Sequence, residues 1–111
     1  MSNVLILADF SGDKATKTTA ELATAGARIA SVTAVVLAGS GKGAALAATV
    51  NQGPIANVLV IESEDFSSHG VAAAADALAA IVKEKSPAAV LIASHAFGKE
   101  VAARVAVLTE S

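Results

Sequence analysis

Glycines at 39, 41 and 43 are interleaved with Ser40 and Lys42. That composition suits a loop closed around phosphate, because backbone N–H groups without side chains can approach an anion closely. The phosphate-loop pattern Gly-x-x-x-x-Gly-Lys-Ser/Thr fails here: Val36 stands where its first glycine belongs, and Gly43 stands where its hydroxyl belongs. A looser pattern survives. Gly39-x-Gly41-x-x-Ala44 sits between a strand-like and a helix-like segment, and Glu62 ends the next strand-like run. This is the layout of a dinucleotide fingerprint, in which the acid would meet a ribose hydroxyl. Against that reading, the motif follows the second apolar run rather than the first, and its helix is short. The same glycines also suit plain turns.

The other reactive side chains are sparse. Asp9, Ser11 and Gly12 follow the first apolar run, and Ser94 and His95 follow the last. Asp9 can cap its loop or face the same crevice as His95. Ser94 and His95 are adjacent, so they point in different directions, and no Gly-x-Ser-x-Gly elbow is present to build a hydrolytic triad. His69 stands in a polar Ser67-Ser68-His69-Gly70 connector and reads as solvated. Two histidines without matching carboxylate spacing make no metal site. The chain contains no cysteine, which excludes disulfides, thiolate metal sites and thiol catalysis.

Composition narrows the class further. The 111 residues are 54% hydrophobic but only 3% aromatic, and alanine fills about a quarter of the chain. Small side chains let helices lie close to a sheet, so thin, tightly packed layers are expected. The net charge is −2 with both signs scattered. No basic stripe offers itself to nucleic acid. No apolar run is long enough to span a bilayer, and no signal or transit peptide is visible at the start.

The elements that must position these residues follow from periodicity. Residues 4–8, 32–38, 58–61 and 89–93 form four nearly continuous apolar runs. Strands buried on both faces of a parallel sheet read this way. Between them, Ala15, Leu22, Ala25 and Ile29 recur at roughly helical spacing, with Thr18 and Glu21 as a capping box or Asp13 as an earlier cap. Residues 42–50 predict a short helix stopped by Asn51-Gln52-Gly53-Pro54. Val71, Ala75, Leu78 and Val82 mark a longer helix with Lys83 and Lys85 in its last turn. Val101, Val105 and Leu108 stripe a final helix opening at Gly98. Strand and helix alternate four times, which implies an α/β fold: a doubly wound parallel sheet in three layers with right-handed crossovers. A further strand would ordinarily follow the last helix, so the end at Ser111 reads as a truncation.

The order of these segments resembles the electron transfer flavoprotein alpha subunits. The likeness runs from Asn3-Val4-Leu5-Ile6-Leu7-Ala8-Asp9 through Val32-Thr33-Ala34-Val35-Val36-Leu37 to Val90-Leu91-Ile92-Ala93. Its best signature is Phe97-Gly98-Lys99-Glu100-Val101-Ala102-Ala103-Arg104-Val105-Ala106, similar to the family's Gly-Arg/Lys-Asp/Glu-x-Ala-x-Arg-Val-Ala segment. The resemblance implies the N-terminal domain alone, with a Rossmann-like, nucleotide alpha-hydrolase-like fold and strand order 3-2-1-4. It implies a subunit of a cytoplasmic, bacterial electron carrier rather than an enzyme. Such proteins pair with a beta subunit and pass electrons from flavoprotein dehydrogenases to an acceptor oxidoreductase. FAD would be bound by the C-terminal domain, which these residues do not include, so no cofactor is expected on them.

Two functional readings result. In the first, the domain is a scaffold that docks on the beta subunit through Phe10, Phe97, Val101 and Val105. In the second, it is a nucleotide-binding module, either like the universal stress proteins or using Gly39, Gly41 and Glu62. With order 3-2-1-4, the winding reverses between the first and fourth strands, where such folds bind ligands. Asp9, Ser11, Gly12, Ser94, His95, Gly98 and Lys99 would line that crevice. Phe10 and Phe97 would fill the space a nucleotide needs, so a vestigial site is expected there. An exposed apolar patch is expected on the second or last helix.

Overall fold

The computed structural model describes residues 3–11, 14–39, 41–50, 54–64, 70–85 and 87–92. The final helix expected from Gly98 onward lies outside these residues. The main sheet is built from β1 (Asn3–Leu7), β4 (Ser31–Ala38), β5 (Asn57–Glu62) and β6 (Ala89–Leu91). All its pairings are parallel, in the order β5-β4-β1-β6. Numbered along the chain, the four sheet strands therefore run 3-2-1-4, as the resemblance implies. Two short strands, β2 (Phe10–Ser11) and β3 (Lys14–Ala15), form a separate antiparallel ladder after β1. The helices are α1 (Lys17–Ala27), α2 (Gly43–Val50) and α3 (Gly70–Lys85).

Side chains alternate across the sheet and divide the core in two. Val4, Ile6, Ala8, Val32, Ala34, Val36 and Ala38 face one side, with Ala23 of α1 and Val50 of α2 against them. Leu5, Leu7 and Val35 face the other, under Ala74, Ala75, Leu78 and Ile81 of α3. Helices thus cover both faces, and the crossover from β5 to β6 carries α3 across the far side. The small residues allow this closeness: Ala23 and Gly26 are two of the three buried residues of α1, and Ala74 and Ala75 lie on α3's inner face.

Three local expectations need correction. The first helix begins at Lys17 with Thr16 as N-cap, so Thr18 and Glu21 lie inside it and make no capping box. Its buried face is Thr19, Ala23 and Gly26, not Ala15, Ala25 and Ile29. Ala15 belongs to β3, and Ile29 falls in the turn after the helix, 57% exposed. Residues 58–61 were expected to be buried on both faces. They lie on the outermost strand instead, with Val58 and Val60 exposed and Leu59 and Ile61 half-buried. β5 has one described strand neighbour; α2 reaches Val60 on one face and the α3-side cluster meets Leu59 and Ile61 on the other, so each face is covered only in part. The face expected for α3 is largely present: Ala75 and Leu78 are buried and Val82 is half-buried.

Candidate functional site

Parallel strands bring their C-terminal ends to one edge, so the loops after β1, β4 and β5 share it. After β4, a tight turn is closed by Lys42 N–H donating to the Gly39 carbonyl at 3.0 Å. Gly41 takes φ +80°, in the left-handed region that favours glycine. Helix α2 then opens at Gly43. Glu62 ends β5 directly beside Ala38, the last residue of β4. The structure therefore does bring Gly39, Gly41 and Glu62 together, as the fingerprint spacing suggests.

What they form differs from a dinucleotide site. The Gly43 N–H donates to Glu62 Oε2 at 2.6 Å. The carboxylate thus stands at the N-terminus of α2, where the pyrophosphate of a bound dinucleotide would have to sit. A negative side chain at that end is stabilised by the free N–H groups and the helix dipole, and it repels phosphate. Gly43 was absent from the fingerprint considered above, yet it is the glycine this arrangement requires. A Cβ there would lie 2.5 Å from Val60 Cγ1 and 2.6 Å from Glu62 Oε2. The only signal in the sequence was its failure as the hydroxyl position of a phosphate loop.

The loop after β1 is tied down by threonines. Thr19, fully buried, donates through Oγ1 to the Asp9 carbonyl and accepts from the Asp9 N–H, both at 2.9 Å. Thr16 Oγ1 donates to Asp9 Oδ2 at 2.6 Å, and the Thr16 N–H donates to the Asp9 carbonyl at 2.9 Å. Asp9 thus joins the end of β1 to the start of α1. Of its two anticipated roles, capping the loop is the one these bonds supply. Sequence reasoning missed both threonines, since nothing in their spacing marks them. Further along, Thr49 Oγ1 accepts from the Ala15 N–H at 2.9 Å and donates to the Leu46 carbonyl, which ties β3 to α2.

Phe10 is half-buried and packs against the cluster formed by Val4, Ile6 and their neighbours. Ser11 is exposed on the short ladder. The remaining residues named for the crevice and for docking (Gly12, Ser94, His95, Phe97, Gly98, Lys99, Val101 and Val105) lie outside the described residues. Among the described residues, no group of three His, Cys, Asp or Glu side chains could hold a metal ion. Nor is any described helix long and apolar enough to cross a membrane.

Residues 4–111 match the family model described as the electron transfer flavoprotein domain. The chain belongs to that family. It is also 35% identical over 106 residues to the electron transfer flavoprotein subunit alpha of Mycobacterium tuberculosis, in strains H37Rv and CDC 1551. To the protein of the same name from Mycobacterium leprae it is 33% identical over 106 residues. Each match covers 96% of this chain and 33% of the relative, so the chain spans about a third of the length of the curated relatives it matches. The family's parallel sheet supplies the shared edge on which Asp9, Gly39 and Glu62 stand. On that edge, Thr16 and Thr19 hold the loop after β1 through Asp9, and the Glu62 carboxylate holds the start of α2.

Proposed function

We propose that this electron transfer flavoprotein domain is the scaffold and docking domain of an alpha subunit, a single domain of a longer chain. The observation that carries the reading is a match over nearly the whole chain to alpha subunits three times as long, as 96% against 33% coverage implies. With a beta subunit, the parent would pass electrons from flavoprotein dehydrogenases to an acceptor oxidoreductase in the bacterial cytoplasm. FAD would be bound by the part of the parent beyond these residues. The role of the present domain is to hold shape and offer a surface. It is neither an enzyme nor, alone, an electron carrier.

The geometry at α2 supports this over nucleotide binding. A dinucleotide needs the α2 N-terminus open and Glu62 turned to a ribose; Glu62 instead accepts from the Gly43 N–H. Reconstitution tests the reading. The purified chain, incubated with excess FAD and desalted, is expected to emerge colourless. A yellow complex holding one flavin per chain would overturn the placement of FAD elsewhere in the parent.

A further inference from the structure

We draw no further inference here: the strongest candidate, the apolar strip formed by the exposed Val58 and Val60 on the outer strand β5, has nothing in the structure to show what covers it.

Discussion

At Gly43 a hydrogen atom occupies space that a methyl group would have to share with Val60 and Glu62. The contact distances of 2.5 and 2.6 Å leave no room for a Cβ, and the nearest neighbour is a side chain anchored in a strand. Gly43→Ala should therefore destabilise the domain by about 2 kcal/mol, in the range of overpacked sites, despite the better helix propensity of alanine. Urea denaturation reads this directly; an unchanged midpoint would show that the strand shifts freely. Glu62 contributes through one charge-assisted bond at an exposed position. Its replacement in Glu62→Ala should cost about 1 kcal/mol, the size of a lost N-terminal cap. The same carboxylate stands where a bound pyrophosphate would have to sit. Titration of the intact chain with NAD or AMP should show no binding tighter than about 10 μM, roughly −7 kcal/mol. Saturable heat at lower concentration would promote the nucleotide-binding reading. At the other loop, Thr19→Val should cost about 1–3 kcal/mol by leaving the Asp9 N–H without its hydroxyl partner.

Among the elements, the strands differ in how firmly they are held. β1 and β4 are central, with Val4, Leu5, Ile6, Val35 and Val36 fully buried. β5 has one described neighbour and two exposed valines. Hydrogen exchange should thus be slowest in β1 and β4 and clearly faster in β5, since edge amides open without global unfolding. Equal protection across all four strands would contradict this. On the far face, Leu78 of α3 is fully buried against the sheet, and Leu78→Ala should cost about 3 kcal/mol by leaving a cavity. Much of this architecture was legible beforehand. Continuous runs such as residues 4–8 and 32–38 announced strands covered on both sides, and alternation with helices announced parallel pairing. The edge position of β5 was not legible, because its residues 58–61 are as apolar as those of a central strand. The ladder of β2 and β3 was hidden too, as two-residue strands leave no periodic signal. The face of α1 differs from the expected one because Ile29 falls in the turn beyond the helix, whereas close packing against the sheet selects Thr19, Ala23 and Gly26. Glycine spacing led to the right loop after β4. Only the folded structure shows that the acid caps the helix rather than waiting for a ribose.

For the whole molecule, the sheet with helices packed on both faces is a platform with two described loop ends held by internal hydrogen bonds. Such a platform suits a domain that positions other parts of a carrier. The chain corresponds to about a third of each alpha subunit it matches. In the proposed reading, its own function rests on what it grips. The most direct test is to co-express the chain with an electron transfer flavoprotein beta subunit and measure the mass of the purified product by light scattering during gel filtration. A docking domain predicts a single peak with the mass of a one-to-one complex. Two separate peaks, each with the mass of a free chain, with both proteins folded by circular dichroism, would contradict the account.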